Sequence, residues 1–166
     1  MKNIFIILGL TALIISCTAP QAEQTTSDVP EEVTTVEKEE TQTSAMTDYM
    51  SLKDAFVKSD ASAAKASASA LSKSLAAENM DAKVIEAANL IAGTDDLKRQ
   101  RAAFKIITDG LIVALKADGE TSGVFVQFCP MAFDNTGANW LSMSEEIRNP
   151  YYGDMMLKCG RVEEEI

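Results

Sequence analysis

The sequence predicts a mainly α protein, a small antiparallel helical bundle closed by a short C-terminal β or irregular cap. Three observations predict it. Between residues 47 and 118, four stretches carry apolar residues at helical spacing, each bounded by capping or breaking residues. Gly123 to Cys129 is instead a run of β-branched and aromatic residues. Ahead of residue 47 the chain lacks the aromatic and periodic apolar content of a folded core once its leader is passed.

The leader comes first in chain order. MKNIFIILGLTALIISC places Lys2 before an apolar run from Ile4 to Ile15, with Ser16 immediately ahead of Cys17. A basic start, an apolar core and a small residue at the cut form an export signal. A cysteine at the first mature position points to lipidation, because its thiol can carry a diacylglyceryl group. The box is loose, with Ile14 and Ile15 where leucine and a small residue are commoner. An uncut membrane helix is disfavoured, since a bilayer-spanning helix needs roughly 20 apolar residues. The expected division is residues 1–16 as lipoprotein signal peptide, 17–46 as lipidated Cys17 with an acidic tether, and 47–166 as the folded domain. The expected location is the cell envelope, with the domain facing the periplasm or exterior and held to the bilayer by acyl chains.

Residues 18–46 contain seven acids against one base, Lys38, and no aromatic residue. Such a segment cannot bury enough apolar surface to offset the entropy of ordering it. The remaining 120 residues suffice for one small domain. With a net charge of -10 for the whole chain and no basic patch, there is no electrostatic route to nucleic acid, whereas cationic partners are readily accommodated.

Within the domain, Thr47 is expected to cap a first helix whose inward face carries Tyr49, Leu52 and Phe56. Asp60 then caps a second, alanine-rich helix with Ala61, Ala64, Ala68, Leu71 and Leu75 on one side, small enough for close approach of a neighbour. A third helix runs near Asp81 to Ile91, with Val84, Ala88 and Ile91 inward and Gly93 as its stop. Thr94 or Asp95 starts the fourth, with a stripe through Leu97, Arg101, Phe104, Ile107 and Leu111, ending near Asp118-Gly119; Gly110 interrupts it. The strand at 123–129 follows, then a turn at Asn135-Thr-Gly137, an extended Ala138 to Met143, and a turn at Asn149-Pro-Tyr-Tyr-Gly153. Phe128, Phe133, Trp140, Tyr151 and Tyr152 would cover one end of the bundle. Glu163-Glu164-Glu165 reads as a solvated tail.

The chemistry concentrates in the cap. Cys129 and Cys159 stand among Met131, Met155 and Met156, and the chain has no histidine. That absence removes the usual general base, the usual catalytic triad and most zinc hydrolase sites, so no enzyme reading gains support and no catalytic residue is assigned. Cysteine with methionine suits Cu(I), and silver by the same softness. Two cysteines in an exported small domain most often form a disulfide, here closing a 31-residue loop with the methionines as gap-fillers. A redox-active pair is less favoured, because there is no Cys-x-x-Cys and no adjacent base. Asp95-Asp96 and Glu145-Glu146 suit helix starts better than paired acids. Asp118-Gly-Glu120 lacks calcium-loop spacing.

The segments Val124 to Ala132, Gly137 to Leu141, Glu146 to Asp154 and Met156 to Gly160 resemble the signature of a bacterial extracytoplasmic domain family of unknown function. Tyr49 to Ala55 and Arg101 to Phe104 resemble its helical half. Members occur as exported lipoproteins and appended to membrane-fusion adaptors of copper and heavy-metal efflux pumps. The resemblance implies a metal-related role, Cys129, Met131, Met156 and Cys159 as ligands of Cu(I) or a similar soft ion, and an efflux adaptor protein as partner. Some metal-binding relatives also use histidines, which this chain lacks. The alternative remains a disulfide-stabilised structural or protein-interaction domain without metal.

Overall fold

A computed structural model describes residues 44–119 and 123–166. The leader, Cys17, the tether up to residue 43 and Glu120 lie outside the described residues. Four helices come first: α1 (Ser44–Val57), α2 (Ala61–Ala77), α3 (Ala82–Ala92) and α4 (Leu97–Asp118). Strand β1 (Phe125–Cys129), a four-residue turn α5 (Ala132–Asn135), β2 (Ala138–Ser142), a 3₁₀ turn at Gly153–Met155 and β3 (Arg161–Glu165) complete the order. The fold is the expected mainly helical bundle with a short C-terminal β and irregular region.

Local chemistry explains most boundaries. Asp60 caps α2 by accepting from the Ala63 amide at 2.9 Å, and Asp81 caps α3 by accepting from Lys83 at 2.8 Å. Gly119, at φ 70°, ends α4 in the left-handed conformation that favours glycine. Two starts differ from expectation. Helix α1 begins at Ser44 rather than being capped by Thr47, and Ala45 and Met46 are buried. The reason is tertiary: the Ala45 amide donates to the Glu78 carboxylate at the end of α2, 2.9 Å away. Helix α4 is capped by Asp96, which accepts from Lys98 and Arg99, whereas Thr94 accepts from the Asp96 amide and Asp95 pairs with Lys65.

Consecutive helices pack against one another, and both α1 and α4 reach β2. The core holds Tyr49, Leu52, Phe56, Leu71, Leu75, Ile91, Phe104 and Ile107. On α4 the buried stripe also takes Gln100, Ala103 and Thr108, while Leu97 and Arg101 are only partly buried. The Gln100 amide nitrogen explains its place there, donating to Ala61, Ile91 and Thr94 carbonyls and joining three helix ends. Gly110 is no weakness of α4: a Cβ there would meet Val84 Cγ2 at 2.4 Å, so its lack of a side chain lets α3 and α4 approach. One phenol ties bundle to sheet. Tyr49 Oη lies 2.8 Å from Thr108 Oγ1 of α4 and accepts from the Leu141 amide of β2 at 3.0 Å.

The sheet order is β2-β1-β3, both pairings antiparallel. Strand β3 corrects the expected solvated tail. Its five side chains are exposed, but its backbone is paired with β1, and a sheet edge carrying charge in this way resists pairing with other chains. The expected aromatic covering also proves deeper than a surface: Trp140 is fully buried, and Tyr151 packs on Phe104, Phe133 and Trp140. The Asn135-Thr-Gly137 turn is part of a larger departure. Phe133, Asp134 and Asn135 all have positive φ (52°, 56° and 66°), so α5 is a left-handed turn. Each such non-glycine residue costs roughly 1–2 kcal/mol, which surrounding structure must offset.

Candidate functional site

Strand register assembles the cysteines. Phe128 of β1 pairs with Arg161 of β3, so continuing that ladder brings the residues before Arg161 alongside the end of β1. Cys129 Sγ and Cys159 Sγ lie 3.4 Å apart, both as free thiols. Their exposures differ. Cys129 is fully buried at the end of β1, and Cys159 is half-buried. Burial, then the neighbouring Cys129 sulfur, pushes the Cys159 thiol above its ordinary range. That shift favours the protonated thiol at Cys159.

Glycine and asparagine hold Cys159 in place. Gly160 has φ 151°, and a Cβ there would meet Trp140 Cη2 at 2.6 Å and the Phe128 carbonyl at 2.9 Å. No other residue fits that close approach without movement. Asn149, fully buried, donates from Nδ2 to the Cys159 carbonyl at 2.7 Å. Its Oδ1 accepts from Tyr151 and Tyr152 amides, and its own amide donates to Leu157. This one side chain orders the loop from residue 149 to residue 159. Sequence reading registered Asn149-Pro150 only as a turn; the signal for more was a polar residue inside an aromatic segment.

Of the other sequence-predicted positions, Met131 follows Pro130 at the mouth of the left-handed turn and is 44 % exposed. Its carbonyl accepts from Tyr152 Oη at 2.7 Å. Burial raises the Tyr152 phenol, and Cys129 and Cys159 add to the shift. Met156 is half-buried, and its carbonyl accepts from the Cys159 amide at 3.0 Å, closing the turn that presents the cysteine. Met155 is 76 % exposed. Both methionines are thus joined by backbone to the elements that carry the thiols. Arg161, next but one to Cys159, lies 5.0 Å over the Phe128 ring and secures the β1–β3 pairing. Glu146 starts no helix. Lys158 holds its exposed carboxyl below the usual range by hydrogen bond and charge.

Residues 45–123 match a family model described as a protein of unknown function, DUF3347. That match spans α1 to α4 and ends just before β1, so the resemblance read along 47–166 is supported across the helical half. The sulfur-bearing cap lies beyond it. No curated protein and no solved structure matches the chain. Among the described residues, no group of three or more His, Cys, Asp or Glu side chains is placed to hold a metal ion. No helix among them is long and apolar enough to cross a membrane.

Proposed function

We propose that this chain is a membrane-anchored extracytoplasmic binding protein for Cu(I) or a similar soft ion, accessory to metal efflux or homeostasis. Cys129 and Cys159 are its primary ligands, Met131 and Met156 supplementary ones, and acylated Cys17 its anchor. One observation carries the metal reading: two free thiols from segments 30 residues apart converge to 3.4 Å. Two sulfurs sharing an ion at a typical metal–thiolate distance of about 2.3 Å can stand up to about 4.6 Å apart. The pair lies inside that limit, so an ion can be accepted by opening rather than by rebuilding the cap. Two thiolates form a soft donor set that favours soft ions over oxygen-seeking cations, and thioethers from Met131 and Met156 would add to that preference. Among the described residues no third Cys, His, Asp or Glu joins the pair, which fits a low-coordinate monovalent ion better than tetrahedral zinc. The anchor and the efflux adaptor as partner rest on the leader and on the family resemblance.

The test is titration of the full chain, carrying Cys17→Ser and purified in detergent, with Cu(I) against a competing chromophoric chelator. One equivalent should bind tightly, and Cys129→Ser/Cys159→Ser should lose that binding with helix content unchanged by circular dichroism. Stoichiometric binding retained in the double variant would overturn the assignment. The same 3.4 Å supports a second reading, a disulfide-stabilised interaction domain without metal, since a bond of about 2.05 Å needs closure of only about 1.4 Å. That reading predicts no Cu(I) uptake by the reduced chain.

A further inference from the structure

The geometry points to a thiol–disulfide exchange activity at this pair, in which Cys159 reacts first with an external disulfide and Cys129 resolves the mixed disulfide. Three observations combine. The sulfurs are within 3.4 Å, so an intramolecular displacement needs little motion. Their exposures are unequal, Cys159 half-buried against Cys129 at 0 %, so an external disulfide can reach only one of them. Finally, the two cysteines are held from different sides. Cys129 sits within the β1 ladder opposite Ala138, whereas Cys159 belongs to a turn tied down through Asn149.

The co-reactant is a disulfide of a small thiol such as glutathione, or of another protein. Cys159 first gives up its thiol proton to solvent, and the thiolate so formed attacks one sulfur of R–S–S–R, giving a Cys159–S–S–R mixed disulfide and releasing R–S⁻. The Cys129 thiolate then attacks Cys159 Sγ, forming the Cys129–Cys159 bond and releasing the second R–S⁻. The two protons lost from the protein thiols end on the two R–SH products. The external disulfide gains two electrons, and the protein loses two. Oxidation consumes both primary metal ligands, so the oxidised chain takes no Cu(I). That last consequence rests on the proposed function; the exchange itself does not.

The test uses the full chain in detergent with Cys17→Ser, so that Cys129 and Cys159 are its only cysteines. It is incubated with glutathione disulfide and followed by intact and peptide mass. The parent chain should form the internal bond, Cys129→Ser should accumulate glutathione on Cys159, and Cys159→Ser should react at least about tenfold more slowly. In the parent chain, limiting iodoacetamide should mark Cys159 before Cys129, a readout that does not depend on how well either variant folds. A parent chain that stays a dithiol, or a Cys129 that is marked as fast as Cys159, overturns the proposal. Exchange that proceeds as described in a reduced chain that binds no Cu(I) upholds the exchange and sinks the metal reading.

Discussion

Tyr49→Phe should loosen the joint between bundle and sheet at a cost set by one orphaned amide. The substitution keeps the ring, and with it the stacking on Phe104 at 5.1 Å and 19°. It deletes only the hydroxyl that Thr108 and the Leu141 amide share. Thr108 lies within α4, where its hydroxyl can turn back to the carbonyl four residues earlier. Leu141 has no such recourse: it is fully buried, and its N–H would face the space left by the missing oxygen. Leaving a buried donor unsatisfied costs about 1–3 kcal/mol. For a domain of this size that corresponds to a fall in Tm of roughly 5–12 °C. Urea unfolding followed by circular dichroism gives the free energy. Hydrogen exchange at the Leu141 amide gives the location, and it should quicken well beyond that of neighbouring strand amides. A variant within about 0.5 kcal/mol of the parent, with Leu141 exchange unchanged, would refute the hydroxyl's role as the joint.

Three further perturbations test other parts of the structure. Burial raises the Tyr49 and Tyr151 phenols above the tyrosine range, so the stability gained by keeping them neutral is complete below about pH 10 and is lost as pH climbs through their folded values; ultraviolet titration should show two tyrosines ionising only with alkaline unfolding. Asp134→Gly should raise stability by up to about 1 kcal/mol in urea, because it relieves a left-handed residue whose side chain is exposed. Gly110→Ala should destabilise despite alanine's helix propensity, and Val84→Ala in the same chain should recover part of the loss; strictly additive effects in that double-mutant cycle would contradict the close α3–α4 contact.

The helical half was legible because its signals are local. Asp60, Asp81 and Gly93 act within a few residues of where they stand, and the Ala64, Ala68, Leu71, Leu75 face follows from period alone. The misreadings occur where a distant residue decides. Ser44 starts α1 because Glu78 receives the Ala45 amide, and Gln100 is buried because the Ala61, Ile91 and Thr94 carbonyls converge on its amide nitrogen. Strand β3 was illegible for another reason. All five of its residues are exposed and Val162 is its single apolar one, so no alternation of polarity marks it. The candidate site was half legible. Residue chemistry singled out Cys129 and Cys159, but Asn149 read only as part of a turn and Gly160 gave no sign of its close approach, since both roles exist only once the loop has closed.

The β2-β1-β3 order has a consequence in time. Strand β1 meets its β2 partner soon after both are made, but β3 follows only after the long turn from Met143 to Gly160. Cys129 and Cys159 stand 30 residues apart in sequence, so their meeting waits on closure of that whole segment. Until β3 is paired, Cys129 lies at the end of a strand with one open edge. Sulfur convergence thus reports completion of the sheet, and the rate of Cys129 alkylation during refolding would time it.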